Sequence, residues 1–265
     1  MSDIQPGDKK YTDTKLDTKT RHQKRKRNSR KSNHNPTEIL SRALSWALRH
    51  QGPSIGLSMT PDGFVPVSQI LASKHPKLSS SAWTLQDIRE VVKASDKQRF
   101  QLDERPAENY PGVSQDSAEG NSVLCIRATQ GHSLKFIDSD LLLVPIPSEE
   151  LDTLPTIVHG TYQHMWTESI SKQGLSRMNR NHIHFAAGLP DPKKGVISGM
   201  RKTCDVYIYV NTAKCAANPD IQFYRSANGV ILTAGVKGEG ILPMEYISHV
   251  SDPKGNLLLD QRTTS

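Results

Sequence analysis

No stretch of this 265-residue chain approaches the ~20 consecutive apolar residues that a membrane-spanning helix needs. Residues 1–31 lack an apolar core segment, so no secretory signal is expected. Cysteine is scarce. Cys125, Cys204 and Cys215 show no CxxC spacing and cannot build a small disulfide framework, and their odd number favours a reducing compartment, the cytoplasm or the nucleus. Cys125 sits in the apolar run Val123-Leu124-Cys125-Ile126 and reads as a buried thiol. No GxGxxG follows a strand-like run and there is no βαβ alternation, so a Rossmann reading has no support. GxxxxGK[ST] is absent, which removes a P-loop nucleotide site, and no internal repeat is visible.

What is present is an ordinary globular composition, 35% hydrophobic and 23% charged, at a length that suits one or two domains. A wholly disordered chain, a collagen-like fibre and a membrane bundle are therefore excluded. The net charge of +7 is unevenly placed. Residues 1–36 hold eleven Lys and Arg against four Asp, so they carry all of it and the remainder is neutral. With almost nothing apolar to bury, residues 1–36 read as a disordered basic tail suited to salt-sensitive contact with nucleic acid. Its run Lys24-Arg25-Lys26-Arg27 also fits a nuclear localisation patch, a weak signal.

The body opens with helix-start chemistry. Asn35 can cap, Pro36 suits the first helical position and Glu38 can return to the cap amide. Apolar pairs at 39/40, 43/44 and 47/48 make one buried stripe that ends before Gly52-Pro53, leaving Arg49 and His50 on the last turn. A short extended stretch at 64–67 and a short helix at 68–72 follow. Thr84-Leu85-Gln86-Asp87 starts a capped helix with Leu85, Ile88, Val91 and Val92 on one face. Residues 99–102 and 123–129 read as strands around a Pro- and Gly-rich mobile loop, 103–121. Three helices followed by a two-stranded wing predict a winged-helix lobe over 37–146. The proline-rich stretch 145–155 reads as a linker. Strands at 156–159, 183–185, 206–210 and 230–233, with a helix at 163–172, predict a sheet-based α+β lobe over 147–250. Residues 251–265 read as a C-terminal tail.

Several clusters could carry chemistry: Arg49-His50, Arg99 beside Asp96 and Lys97, the turn at 128–133, His159-Gly160-Thr161, Arg180 with His182 and His184, and the turn at 225–230. Converging arginines would make a site for a multiply charged phosphate, because guanidinium groups bind its oxygens bidentately and stay charged. A histidine beside them could move a proton near neutral pH. Each has a plainer reading. Arg49 and His50 could only complement a helix dipole, Arg99 could be a surface partner of Asp96, and any lone Arg or His is most often solvated. His159, His182 and His184 could ligate zinc, but no carboxylate motif accompanies them.

Read together, seven segments resemble the tRNA 2′-phosphotransferase family. They are Leu40-Ser41-Arg42-Ala43-Leu44-Ser45-Trp46-Ala47-Leu48-Arg49-His50, Lys97-Gln98-Arg99-Phe100, Ile126-Arg127-Ala128-Thr129-Gln130-Gly131-His132-Ser133, His159-Gly160-Thr161, Arg180-Asn181-His182-Ile183-His184, Gly195-Val196-Ile197-Ser198-Gly199-Met200-Arg201 and Phe223-Tyr224-Arg225-Ser226-Ala227-Asn228-Gly229-Val230-Ile231-Leu232. No one of them is specific; seven in order are.

The resemblance implies a winged-helix lobe followed by an ADP-ribosyltransferase-like lobe. It implies that NAD accepts an internal 2′-phosphate from ligated tRNA, giving a 2′-hydroxyl, nicotinamide and ADP-ribose 1″,2″-cyclic phosphate. The residues it implies as catalytic are Arg49, His50, Arg99 and Arg180. Those implied for NAD are His159, Gly160, Thr161, His182, His184, Ser226, Asn228, Gly229 and Val230. Those implied for RNA or phosphate are Arg127, Gln130, His132, Ser133 and Arg201. No metal is expected, and a monomer is. The segment Asn228-Gly229-Val230-Ile231-Leu232 offers no acid where many ADP-ribosyltransferases place a glutamate, which agrees with an anionic phosphate as nucleophile. Two other readings remain open: ADP-ribosylation of nucleic-acid terminal phosphates, and a non-catalytic RNA-binding module.

Overall fold

Asn35 caps the first helix as its sequence implies, its Oδ1 accepting from the Thr37 N–H at 3.2 Å. The structure is a computed structural model, and it describes residues 35–79, 82–110, 112–113, 121–154, 156–189, 200–201 and 203–262. Most of the expected basic tail lies outside them; its last two residues, Asn35 and Pro36, instead open helix α1 (Pro36–Trp46). Glu38 does not return to the cap amide. It pairs with Arg42 one turn on, at 2.6 Å. Leu40, Leu44 and Leu48 are fully buried along one stripe. The helix then widens into a π turn, Ala47–Gln51, before Gly52. An i→i+5 turn displaces the residues it carries from the helical stripe, and this one carries Arg49 and His50.

β1 (Val65–Pro66), α2 (Val67–Leu71) and α3 (Pro76–Ser79) follow. Helix α4 (Leu85–Ala94) begins with a complete capping box, in which Thr84 and Asp87 each accept the other's backbone N–H. β2 (Phe100–Pro106) and β3 (Ser122–Ala128) form an antiparallel ladder, and β1 adds to β3 in the order β1-β3-β2. The strand does not stop at 102. Asp103, Glu104, Arg105 and Pro106 were expected in a mobile loop, but they pair across from Cys125, Leu124, Val123 and Ser122. Their charges are accommodated because Arg105 reaches Asp62 at 2.8 Å and lies over the Phe64 ring. Residue 111 and residues 114–120 of that loop lie outside the described residues.

The chain continues through α5 (Ser139–Leu142), β4 (Val144–Ile146), α6 (Ser148–Thr153), β5 (Val158–Thr161) and α7 (Gln163–Met165). A second π turn, Trp166–Ile170, carries the helix into α8 (Ser171–Gln173). After it come β6 (Leu175–Ser176), β7 (Ile183–Phe185), β8 (Val206–Val210), α9 (Thr212–Ala216), β9 (Phe223–Arg225), β10 (Ile231–Thr233), β11 (Ile241–Leu242), β12 (Ile247–Ser251) and β13 (Leu257–Asp260). Two four-stranded antiparallel sheets result, β4-β9-β10-β7 and β13-β12-β8-β5, with a small β11-β6 pair. The molecule is thus a mixture of helix and antiparallel sheet, the α+β class.

Two expectations are corrected here. The stretch 145–155 is not a linker. β4 pairs with β9, Leu151 of α6 is buried, and Glu150 binds Arg225 at 2.6 Å. Pro145 fits because β4 is an edge strand, where a missing backbone donor breaks no inner ladder. Nor is 251–265 simply a tail, since β13 pairs with β12.

The first helices and sheet enclose one apolar core around Leu40, Leu44, Ile88 and Ile126. The later sheets enclose another around Phe185, Ile208, Phe223 and Ile247. A third cluster joins the two regions: Ile137, Leu142 and Leu143 pack with Val230 and Leu232, and Met59 packs against them. Residues 34–265 accordingly form one compact unit.

Gly174, at the end of α8, has φ +86° and ψ −174°, a conformation open essentially to glycine, and a Cβ there would strike Leu242 O and the Pro243 Cα. Gly56 has φ +82° but faces open space. Gly174→Ala is expected to cost ~3 kcal/mol or more and Gly56→Ala about 1, from strain with and without collision. Urea denaturation of the two variants checks this; equal losses would contradict it.

Candidate active site

A cavity of about 920 Å³ opens beside the π turn of α1. β5, β7, the α7–α8 helix and the turn at 177–180 wall it. Its lining includes His50, His159, His164, His182 and His184 together with Arg177, Arg180 and Arg201. Among the described residues, no Asp or Glu lines it.

Arg49 lies beneath one end. Its Nε and Nη2 are enclosed and have no acceptor. Burial, and then the like charges of Arg180 and Arg99, push its pKa down to about 10, so it remains a cation at neutral pH. The guanidinium lies against the backbone of Gly131, whose φ of +88° suits glycine; a Cβ there would touch Arg49 Cδ, Nε and Cζ, all at 3.5 Å. The Ser133 N–H donates to Arg49 O at 3.0 Å, and Ser133 Oγ meets His50 Nδ1 at 2.9 Å. Burial, Arg49 and Arg180 depress the His50 pKa below its usual 6.5. With Nδ1 engaged, Nε2 is the ring nitrogen left for a ligand.

Arg180 stands at the exposed rim, its backbone tied to Arg177 on both sides: its N–H donates to Arg177 O at 3.1 Å, and its O accepts from Arg177 Nη1 at 2.9 Å. Arg99 is half-buried. Its Nη1 touches Ser95 Oγ at 3.3 Å and Asp96 Oδ1 at 3.2 Å, the surface pair anticipated as its plainer reading, and its charge still reaches Arg49. The loop that delivers Arg99 is clamped from the other region of the molecule. Lys97 Nζ donates to Met200 O at 2.9 Å, and Asn228 Nδ2 donates to Lys97 O at 2.8 Å.

The buried histidines His159, His182 and His184 of the cavity are pushed towards their neutral forms. His182, bonded to Ser139 Oγ at 3.2 Å, is pushed down to about 4 by burial and by Arg177 and Lys135. His184 is driven well below its usual value by burial and Arg180, and its Nε2 is enclosed without a partner. His159 Nδ1 is bonded to His184 O at 2.8 Å, and burial lowers its pKa. His132, expected on the RNA side, is only 3% exposed beneath the cavity, with neither ring nitrogen partnered and its pKa down to about 3 from burial and Arg49. Among the described residues, no group of three or more His, Cys, Asp or Glu could hold a metal ion.

Gly160 is closely packed. A Cβ would stand 2.6 Å from Met200 Sδ and 2.7 Å from Cys204 Sγ. All three cysteines are free and buried, and Cys204 donates to Arg201 O at 2.8 Å.

A family model described as RNA 2′-phosphotransferase, Tpt1/KptA family, matches residues 35–235. The chain belongs to the RNA 2′-phosphotransferase family. It is 40% identical to a Danio rerio protein named tRNA 2′-phosphotransferase 1, over 88% of this chain and 93% of that one. The tRNA 2′-phosphotransferase of Saccharomyces cerevisiae is 36% identical over 82% of this chain and 84% of its own length. A Schizosaccharomyces pombe relative is 43% identical over 84% of this chain, which spans only 54% of that longer protein. No helix among the described residues is long and apolar enough to cross a membrane.

Not every expected site residue of this family member meets the cavity. Ser226, Asn228, Gly229 and Val230 do not line it. Ser226 Oγ donates to Asn228 Oδ1 at 2.6 Å and to Val230 O at 3.1 Å, so this turn spends its polar groups on itself and on Lys97. Arg127 lies on another face, bonded to Gln101 Oε1 and Asp62 O and set over Phe64. Gln130 is half-buried in the turn before Gly131. Residues 190–199, with the Gly195–Gly199 part of the family string, lie outside the described residues. Sequence reasoning missed Tyr162, Met165, Ser169, Arg177, Asn179 and Cys204 as lining residues. Met165 and Ser169 share one face of the expected helix, and that i, i+4 spacing was the available signal.

Because Arg180 is one of the cations that depress His50, Arg180→Ala is expected to raise the His50 pKa towards 6.5. NMR titration of the histidine C–H resonances measures it; an unmoved or lower value would refute the shared-site geometry. The buried His182 adds a second expectation. Its folded-state pKa of about 4 lies below the unfolded ~6.5, so the unfolded chain binds the proton first. Stability should be full above about pH 6.5 and fall as the pH drops towards 4, and His182→Gln should flatten that fall in a thermal-unfolding series.

Proposed function

We propose that this protein removes the internal 2′-phosphate left at a tRNA splice junction and transfers it to NAD, the last step of tRNA splicing. The observation that carries this reading is the charge of the site. Arg49 is buried beside Arg180 and Arg99 with two N–H-bearing nitrogens unmet, and the adjoining cavity has arginines and histidines but no described acid. Like charges packed this way need an anion of high charge density, and a phosphate monoester is one. The finer fold assignment, a winged-helix RNA lobe before an ADP-ribosyltransferase-like lobe, is supported by the three-stranded β1-β3-β2 sheet with its helices and by the two antiparallel four-stranded sheets.

The residues also suit NAD. About 920 Å³ is at the upper end of small-molecule pockets, as a dinucleotide requires, and His184 Nε2 is an enclosed polar atom without a protein partner. His159, Gly160, Thr161, His182 and His184 line the side where the dinucleotide would be held. When bound, NAD supplies an electrophilic ribose carbon with nicotinamide as leaving group. The phosphate needs no base to become a nucleophile, which agrees with the absence of an acid from the described lining. Arg49, Arg99 and Arg180 hold the phosphate and stabilise charge that builds on phosphorus. Neutral in the free protein, His50 gains proton affinity when a dianion arrives, and can then deliver that proton to the departing RNA 2′-oxygen. Ser133 fixes its ring.

Gln130 and Arg201 support the RNA side, and residues 1–36 add salt-sensitive affinity; Arg127 and His132 are left out of it, the first committed to Gln101 and Asp62 and the second buried. All these groups come from one chain, so a monomer suffices. The three free buried thiols fit the cytoplasm or nucleus.

Incubation with NAD and a 2′-phosphorylated oligoribonucleotide is expected to yield a 2′-hydroxyl RNA, nicotinamide and ADP-ribose 1″,2″-cyclic phosphate, undiminished by excess EDTA. Accumulation of a stable ADP-ribosylated RNA would favour the one-step alternative, and no turnover at all would favour a binding module. Arg99→Ala should lower turnover by about 10²–10³ with a modest change in RNA affinity, the scale of losing one preorganised donor to developing charge. Retained turnover would remove Arg99 from the catalytic group.

A further inference from the structure

Arg180 and the Arg49–His50 pair lie 130 residues apart, yet both are tied to one short segment, residues 132–134. On one side, the Ser133 N–H donates to Arg49 O at 3.0 Å and Ser133 Oγ meets His50 Nδ1 at 2.9 Å. On the other side stands Asn181, immediately after Arg180. Its backbone N–H donates to His132 O at 2.8 Å and its Nδ2 to Leu134 O at 2.9 Å. Among the described residues, Arg180 is otherwise held by its own turn, through the two Arg177 bonds. Its side chain is exposed and long, so the position of its backbone decides where the guanidinium can reach.

We propose that Asn181 is a positioning residue that sets Arg180 against Arg49 and His50 by clamping the Arg180 turn onto residues 132–134. The proposal rests on the phosphotransfer reading given above for its catalytic meaning, although the clamp itself is geometric. Asn181 does this with two bonds from one residue, the side-chain bond being the one a substitution can remove. Its Oδ1 is enclosed and has no partner among the described residues, so the side chain's hydrogen bonding here is the Nδ2 bond to Leu134 O. The repulsion between Arg180 and Arg49 works against the arrangement, and a tie that resists it is needed wherever no anion is bound.

The test is a double-mutant cycle of Asn181→Leu with Arg180→Ala, read as single-turnover rate on a 2′-phosphorylated oligoribonucleotide with NAD. Alone, Asn181→Leu should slow the rate by about 10- to 100-fold, since small misplacements of a catalytic group cost that much. RNA and NAD affinities should change less than about 3-fold, the range in which binding contacts are intact. In the Arg180→Ala background the same substitution should have almost no further effect. A second readout does not depend on turnover: freeing Arg180 should raise the His50 pKa, followed by NMR. An equal loss in both backgrounds, an unchanged rate, or an unmoved His50 pKa each overturns the proposal. If the wild-type protein shows no turnover, the phosphotransfer reading falls, and the His50 titration alone then decides the clamp. Should Asn181→Leu not fold, the smaller Asn181→Ala enters the same cycle.

Discussion

Burying the Arg49 guanidinium beside two other arginines opposes folding, and among the described residues no acceptor meets its Nε or Nη2. The side chain gives up water on Nε and Nη2, finds no acceptor there, and is pushed by Arg180 and Arg99. The local structure reads as the set of devices that hold it there. A π turn at the end of α1 turns Arg49 and His50 out of the apolar stripe that Leu40, Leu44 and Leu48 occupy. Gly131, in a left-handed conformation, lets the guanidinium lie against bare backbone. The Ser133 amide holds the Arg49 carbonyl.

The same constraint explains why the two regions do not behave as independent domains. Charges that repel one another can be brought together only by a frame that does not yield. The frame here is a shared apolar cluster, Ile137, Leu142 and Leu143 against Val230 and Leu232, reinforced by polar ties at its edges. Lys97 reaches Met200, Asn228 reaches Lys97, Asn181 reaches Leu134, and His182 meets Ser139. Each tie ends within three residues of a proposed catalytic group, and the last also secures the wall of the cavity. A neutral body can therefore contain an intensely positive point. Net charge is a sum over the surface, whereas this site is a matter of where a few cations are fixed.

How much of this was legible in the chain depended on how local the cause was. Asn35, Pro36 and the Thr84–Asp87 pair cap helices through neighbours in sequence, and both helices begin where those residues imply. β7 and β8 lie at the expected 183–185 and 206–210, because alternating or continuous apolar residues report burial directly. Two failures are local, the β12–β13 hairpin and the Glu38–Arg42 pair; the others involve a distant partner. Asp103, Glu104 and Arg105 look like loop residues until Asp62 and Phe64 are placed beside Arg105. The prolines near 145 look like a linker until β9 is there to pair with β4. Asn228 looked like a dinucleotide contact because it stands in a glycine turn, but its amide is committed to Lys97 O. Cap and turn chemistry is written within a few residues, whereas a hydrogen bond that closes over a hundred residues leaves no mark on either end.

Histidine usage follows from the same one-sided electrostatics. His132, His182 and His184 are imidazoles in a field of arginines, so burial and like charge both favour their neutral forms. Neutral imidazoles add donors and acceptors to the site without adding to the repulsion that Arg49 already suffers, which lysines or further arginines in those places would increase. His50 differs in degree rather than kind: it is less enclosed, lines the cavity, and keeps one nitrogen on Ser133. In the proposed reaction an arriving phosphate would bring negative charge to that ring and oppose the effect of burial and the arginines. On the proposed reaction the proton affinity of His50 would thereby be coupled to occupancy of the anion site, so that the group suited to deliver a proton would acquire it when a phosphate is present to make use of it.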